Sequence, residues 1–527
     1  MGTDRVALVG GEVWTAGFAQ PRELDVLISG GRVASVARAG DLVLDKARVE
    51  DISGRVLIPG FQDAHVHPLL AGMNLLACNL MEAQSADEAL AAIAAHANGL
   101  PAAVWIVGGG WRREMFPAGG PTRRQLDTVT GGRPALLRTD DCHGAWANSA
   151  ALALAGVDRT TPDPPQGWFV READGTPAGM VEERAVELVH AVMPEQTMEF
   201  RRQALLTANR RLVELGITSV QDAIVGGGFG IPDQIPAYRD LLSNRTWRGR
   251  LTAALWWDPE RGVEQIPDLL AARAELEEAA GPDLLLADTV KLMVDGANTV
   301  FLDRAATREA TMALDALGLT CHFHSYGELS TQWILDSVAE ARTAHGTGGG
   351  RHHIAHLMVV AETDFPRFAA LDVTANLQAY WGASAVQHDI LRLTSCSHDS
   401  HLREYAFGRL ATAGARLAAG SDWPVSTPDP LAAVREEARR GRDRTASVAT
   451  GAPDELDRLD VLGLLTAYTA GSAHVNGRAS TTGRIAPGFM ADLAVLDRDP
   501  FAAEGLRDVA VEQTWIGGVI EYDRRTR

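Results

Sequence analysis

Lysine is nearly missing from this chain of 527 residues: only Lys46 and Lys291 occur, and almost every other basic position is arginine. Cysteine is scarce too. Cys78, Cys142, Cys321 and Cys396 stand far apart and form no CxxC pair, which fits reduced cytosolic thiols rather than a disulfide framework. No run approaches the roughly 20 uninterrupted apolar residues of a membrane span. The start, MGTDRVALVGGEVW, lacks the basic, apolar and small-residue regions of a secretory signal, so a cytoplasmic location is expected. Positive charge is in deficit: the formal net charge is −19. That argues against nucleic acid, whose phosphates need a clustered basic face, and against an anionic membrane surface. No Gly-x-Ser-x-Gly elbow is present, which leaves a serine hydrolase with little support. The glycine runs Gly108–Gly110 and Gly226–Gly228 lack the lysine of a phosphate-cradling loop and read as turns.

What is present is length and an apolar fraction of 46%, enough for a large domain plus a smaller one. The chain begins with short glycine-punctuated strands (RVALVGGEVWTAG, ELDVLISGGRVASVA, GRVLIPG) and ends the same way (GRIAPGFMADLAVLD, VEQTWIGGVIEYD). Residues 1–58 and 481–527 therefore predict one small β domain assembled from both ends of the chain. Residues 59–480 alternate. Apolar, β-branched runs end near Phe61, Ser219, Leu255, Lys291, His322, Ile354, Ala375 and Ala418, and amphipathic stretches such as FRRQALLTANRRLVELG and STQWILDSVAEARTA separate most of them. Strands alternating with helices predict a parallel sheet, and eight such strands can close into a (β/α)8 barrel. A long interruption at about 70–194 predicts a subdomain inserted after the first barrel strand, over the mouth. The charge-rich REEARRGRDR reads as a solvated helix face and linker.

The sharpest local signal is Phe61-Gln-Asp-Ala-His65-Val-His67-Pro68, directly after VLIPG. On a strand His65 and His67 point to one side, where two imidazoles can share a cation. Further candidates close later strands: His322 and His324 in LTCHFHSYG, His352, His353 and His356 in RHHIAH, and Asp422 in AAGSDWP. All would project at the C-terminal face of a barrel, and imidazoles with a carboxylate suit zinc or a similar divalent metal. Lys291 lies in the apolar strand TVKLMVDG. A buried amine can lose its proton and add carbon dioxide, giving an anionic carbamate able to bridge two cations, which arginine cannot do. The alternative is a buried ion pair of Lys291 with Asp295 or Asp422.

This set of motifs resembles the amidohydrolase superfamily, and more narrowly its amidohydrolase-3 (YtcJ-like) group, which includes N-substituted formamide deformylases. The resemblance covers nearly the whole chain. It rests on HVH, GGGWRREMF with PTRRQLD, DCHGAWANSAAL, VKLMVDG, HFHSYG, RHHIAH and GSDWPV. It implies that the β domain is a composite β-sandwich beside the barrel, and a metal site of His65, His67, Lys291, His324, His356 and Asp422, holding one or two divalent ions, with carbamylated Lys291 as the bridge. Zinc is the first candidate; manganese, iron and cobalt share the ligand types. One departure stands out: family members often read HAIGD where this chain has His324-Ser-Tyr-Gly-Glu328.

The activity implied is hydrolysis of a carbon–nitrogen bond in a small N-substituted amide by water activated at the metal. Asp422 then moves the water's proton to the leaving amine. His143, in DCHGAWANS, is either a partner of the oxyanion or a histidine hydrogen-bonded in a turn. Trp111, Trp146, Trp381 and Trp423 lie beside motifs, which favours an apolar or aromatic substrate group if they face the site; otherwise they are packing residues. Gln378 is a candidate polar contact. His388, His398 and His401 read as surface or lid residues, and Cys321 as packing. A one-metal deaminase and a catalytically silent binding protein are the competing readings. A homodimer is a family-level expectation.

Overall fold

A strand in a closed parallel barrel is covered on both sides, so it must be short and apolar nearly throughout, as the runs in the middle of this chain are. The computed structural model describes residues 5–99, 104–116, 120–141, 143–194, 196–296, 299–346, 349–383, 404–440, 455–502 and 505–526. Eight strands follow one another around the barrel: β1 (Phe61–Val66), β2 (Ile217–Val225), β3 (Arg250–Trp256), β4 (Leu285–Met293), β5 (Thr320–Ser325), β6 (His353–His356), β7 (Thr374–Leu377) and β8 (Leu417–Ala419). Each pairs in parallel with its neighbour in sequence. The seam between β8 and β1 closes just past the strand ends. There Asp422 N–H donates to the His65 carbonyl at 2.7 Å and His67 N–H to the Trp423 carbonyl at 2.9 Å. Gly420 permits this approach, since a Cβ there would lie 2.5 Å from the His65 nitrogen.

The amphipathic stretches form the helices their spacing predicts, Met198–Glu214 and Glu328–His345. The first begins where the Thr197 hydroxyl accepts from Phe200 N–H. Both bury an apolar face on the barrel wall, through Leu205, Ala208 and Leu212 in one and Ile334, Leu335 and Val338 in the other.

Between β1 and β2 lies an insertion with a six-stranded sheet of its own. Its central strands are Ile106–Trp111, Ala135–Thr139, Gly144–Ala147 and Pro177–Glu183. The loops at one end of this sheet carry Asp141 and His143 to the barrel mouth. The two ends of the chain share a nine-stranded sheet, in which Leu493–Leu496 runs antiparallel beside Val56–Pro59. Leu8, Val26, Ile28, Leu57, Leu493 and Trp515 form its core. A buried ion pair, Arg250 Nε to Asp492 at 2.6 Å, ties this domain to the foot of β3. The architecture is thus the (β/α)8 barrel with a composite β domain and an inserted subdomain that the sequence pattern predicts.

One expectation needs correction. The helix Pro430–Arg439, which carries most of the described part of REEARRGRDR, does not present a purely solvated charged face. Glu437 is fully buried and pairs with Arg440, whose guanidinium also donates to the Tyr405 and Asp457 carbonyls. The pair is held inside by its opposed charges, 2.9 Å apart, and by the backbone oxygens that accept from the guanidinium. Among the described residues no helix is long and apolar enough to cross a membrane. Cys78 and Cys321 are buried free thiols; Cys142 and Cys396 lie outside the described residues.

Candidate metal centre

Strand alternation brings His65 and His67 to one side at the top of β1. Both ε nitrogens reach Asp422 Oδ1, His65 at 3.2 Å and His67 at 3.1 Å. His356 Nδ1 is 3.8 Å from the other carboxylate oxygen. Alternation does not account for the last two residues. His356 and Asp422 have φ of +79° and +55°, left-handed backbone that a non-glycine residue adopts at a cost. These turns swing both side chains inward from the ends of β6 and β8. Gln378 accepts the His356 N–H at 2.7 Å, and the Trp381 indole stacks on the His356 ring with centroids 5.0 Å apart. Asp63 holds the Asp422 turn, accepting Ser421 N–H at 3.0 Å and Ser421 Oγ at 2.5 Å.

The donor set fits a cation. Asp422 Oδ1 and His356 Nδ1 are buried without a hydrogen-bond partner, an arrangement that is costly unless something else satisfies it. Ligand atoms of His65, His356 and Asp422 all lie within 4.8 Å of one another. Burial pushes the His65 and His356 imidazoles well below their usual range, reinforced by the Lys291 charge at His65 and by His324 at His356. They are therefore neutral, with a lone pair to offer. Burial opposes the charge of Asp422, but the facing imidazoles hold its carboxyl well below the usual range. Nitrogen ligands with one carboxylate suit zinc and similar divalent ions.

Residues behind the ligands fix which nitrogen faces inward. His322 Nε2 meets His65 Nδ1 at 2.9 Å, leaving His65 Nε2 for the centre. His324 Nδ1 meets Asp295 Oδ1 at 3.1 Å. Asp295 also accepts from Tyr326 N–H, Gly327 N–H and the Ser330 hydroxyl. Asp295 is therefore the anchor of His324 and not the partner of Lys291. Lys291 projects from β4 into the same cavity and is 1% exposed. Burial lowers its amine to about 7, with Asp422 as the opposing charge.

His143 of the insertion lines the same cavity. Its Nδ1 lies 3.2 Å from Glu183 Oε1 and its Nε2 lies 3.0 Å from the Tyr326 hydroxyl. Burial disfavours the imidazolium, but Glu183 outweighs it and lifts the group to about 9. Phe229, Ile224, Ile231 and Met293 give the cavity an apolar side. Its free volume is about 40 Å³.

The structure thus brings together His65, His67, Lys291, His324, His356, Asp422 and His143 around one cavity. The aromatic residues singled out from the sequence are placed differently. Trp111 and Trp146 pack on each other and on Phe116 inside the insertion, with indole N–H groups bonded to the Leu137 and Thr122 carbonyls. Trp381 and Gln378 support His356, and Trp423 lines a neighbouring cavity of about 370 Å³. His388, His398 and His401 lie outside the described residues. Sequence reasoning did not single out Glu183 or Tyr326; it offered Asp295 only as a partner of Lys291, and it named His322 without giving it a role behind a ligand. For His322 the signal was present, since it shares the inward face of β5 with His324.

With this geometry in hand, comparison with known proteins is informative. Residues 48–522 match the sequence model of a family described as the amidohydrolase family. The chain is 27% identical to an N-substituted formamide deformylase of Arthrobacter pascens, over 95% of both chains. It is 28% identical to the putative amidohydrolase YtcJ of Bacillus subtilis (strain 168), over 90% of both. Among solved structures, an uncharacterised metal-dependent hydrolase from Pyrococcus horikoshii OT3 superposes with a TM-score of 0.71. It is 23% identical and covers 95% of this chain and 99% of its own.

Proposed function

This chain belongs to the amidohydrolase family, and from that premise we propose that it is a metal-dependent hydrolase of small N-substituted amides. The observation that carries the reading is the convergence of His65, His67, His356 and Asp422 on one buried point, with Asp422 Oδ1 left without a hydrogen bond. His324 and Lys291, on the adjoining strands β5 and β4, complete the set. A divalent cation held there would polarise a carbonyl and make water acidic enough to attack near neutral pH. Lys291, as a neutral amine, is competent to add carbon dioxide: the amine nitrogen bonds the carbon, one proton leaves, and an anionic carbamate results.

The chain's own residues supply the rest. Asp422, anionic and at the centre of the cluster, accepts the proton of the attacking water and returns it to the departing amine nitrogen. His143 lines the same cavity and, raised to about 9 by Glu183, adds positive charge to the surroundings in which an oxyanion would develop. The free space beside the ligands is small, about 40 Å³, which favours a small acyl group such as formyl or acetyl. The apolar side formed by Phe229, Ile224 and Ile231 suits an apolar or aromatic amine substituent. The formamide deformylase named above, similar over 95% of the chain, supports the same choice.

A second reading, a one-metal deaminase, is favoured by one observation: only His65, His356 and Asp422 form a group with all ligand atoms within 4.8 Å among the described residues. Metal content and product decide between them. The account expects that chelation abolishes turnover and that added zinc restores it. Incubation with N-formyl and N-acetyl benzylamine is expected to release benzylamine, faster from the formyl compound. Ammonia release from amino-heterocycles by a one-ion protein would replace the proposal with the deaminase. Metal-replete protein that turns over neither substrate class would leave a binding protein.

A further inference from the structure

We propose that the Tyr326 hydroxyl is the protein's hydrogen-bond donor to the oxyanion of the reaction, held in that role by a relay that runs through His143 to Glu183. The inference rests on the amide-hydrolysis reading above. Its starting point is Glu183, whose side chain is 1% exposed. Both carboxylate oxygens face His143 Nδ1, at 3.2 and 3.3 Å. A carboxylate buried this deeply needs a compensating positive charge and a donor, and His143 supplies both if each ring nitrogen bears a proton. Asp141, itself paired with Arg113 at 3.0 Å, accepts the His143 backbone N–H at 2.9 Å and fixes the loop that carries the ring.

The consequence lies at the other end of the ring. His143 Nε2 then donates to the Tyr326 oxygen, 3.0 Å away. A phenol oxygen that accepts from an imidazolium must aim its own hydrogen elsewhere. The Tyr326 ring packs 4.3 Å from the His324 ring and 5.2 Å from the His356 ring, centroid to centroid. Tyr326 and His143 both line the cavity that contains Lys291 and Asp422. The hydroxyl hydrogen is thereby directed into the space where a carbonyl oxygen would sit.

The direction is fixed before substrate arrives. Tyr326 N–H and Gly327 N–H are both bonded to Asp295, at 3.0 Å each, which pins the backbone that carries the phenol. Such preorganisation is what makes an oxyanion donor effective, because nothing has to reorient as charge develops. Tyr326 touches the substrate in this account and is catalytic; His143 and Glu183 act through it and position it. No proton is transferred in the step. The phenol O–H lengthens toward the oxyanion while the imidazolium N–H strengthens the phenol as a donor.

The test uses the metal-loaded enzyme and a stable tetrahedral anion, an N-benzyl methylphosphonamidate, measured by calorimetry, beside its flat counterpart N-benzylacetamide, measured as KM in steady-state hydrolysis. For Tyr326→Phe the account expects phosphonamidate affinity to fall about 10²-fold and kcat to fall about 10²–10³-fold, the cost of one lost oxyanion donor. KM for the flat amide and metal content should stay near wild type. Glu183→Gln should shift the same readouts in the same direction by a smaller factor, because the phenol remains. It decides the matter if Tyr326→Phe does not fold. Unchanged phosphonamidate affinity in the folded variant, or wild-type protein that does not bind the phosphonamidate, overturns the proposal. Wild-type protein that cleaves no amide yet binds the phosphonamidate through Tyr326 overturns the amide reading and leaves the donor role standing.

Discussion

Asp422→Asn is expected to lower kcat for amide hydrolysis by about 10²–10⁴-fold, the range for a lost general base, in a protein that still folds. Asparagine keeps the side-chain shape and one carbonyl oxygen, so the turn at φ +55° and its bonds to the His65 carbonyl and to Asp63 through Ser421 survive. What it cannot do is accept a proton. The wild-type carboxylate is well suited to that task. It is buried and held ionised by the imidazoles around it, and it sits between two β1 histidines and His356. Loss of ligation and loss of proton transfer are separable. If Asp422 served only as a ligand, saturating zinc would restore turnover in the variant. The account expects metal occupancy to recover under those conditions and kcat to remain low. Full turnover by metal-replete Asp422→Asn would remove the proton-transfer role.

Lys291→Ala is expected to cost at least as much. Loss of a residue merely behind a ligand weakens metal sites by about 10–100-fold, and a bridging ligand should cost more. A chain with two lysines has placed one of them on β4, 1% exposed, with its amine brought down to about 7 by burial. A lysine kept as a cation in that position would sit among His65, His324 and His356, which are the groups a cation-binding site needs to leave electron-rich. A carbamate reverses the sign and supplies an anionic oxygen pair. Two results follow. Intact metal-loaded enzyme supplied with carbon-13 bicarbonate should show a carbamate carbon signal by NMR that Lys291→Ala lacks. Lys291→Ala should regain activity with a short carboxylic acid in the buffer, which can occupy the space and present the same two oxygens. An unmodified lysine in active, metal-replete enzyme would contradict the carbamate.

These expectations show which parts of the molecule the sequence discloses. The eight apolar runs reappear as β1–β8 because strands covered on both faces leave a continuous apolar signature. His65 and His67 are legible as a pair because strand alternation is rigid. His356 is not legible in this way. It lies three residues from His353, and only the turn at φ +79° brings it to the centre; no local pattern announces a left-handed residue there. Asp295 presents a different obstacle. It lies 29 residues before His324, across the link from β4 to β5, and meets it only because adjacent strands end at one level. The tryptophans mark the opposite limit. Trp111 and Trp146 are neighbours of motifs along the chain, yet their side chains fill the core of the insertion. Nearness in sequence to a functional motif does not fix the side of the sheet on which a side chain lands.

The central claim is that six side chains from β1, β4, β5, β6 and the end of β8 form one cation site. Crystals of the zinc-loaded protein, with anomalous data collected on both sides of the metal edge, test it most directly. The account predicts an anomalous peak between His65 Nε2, His67 Nε2 and Asp422 Oδ1. A second is predicted beside His324 and His356, with density continuous from Lys291 between the two. A zinc-loaded crystal with its anomalous density elsewhere, and with Asp422 hydrogen-bonded to His65 and His67, would contradict it.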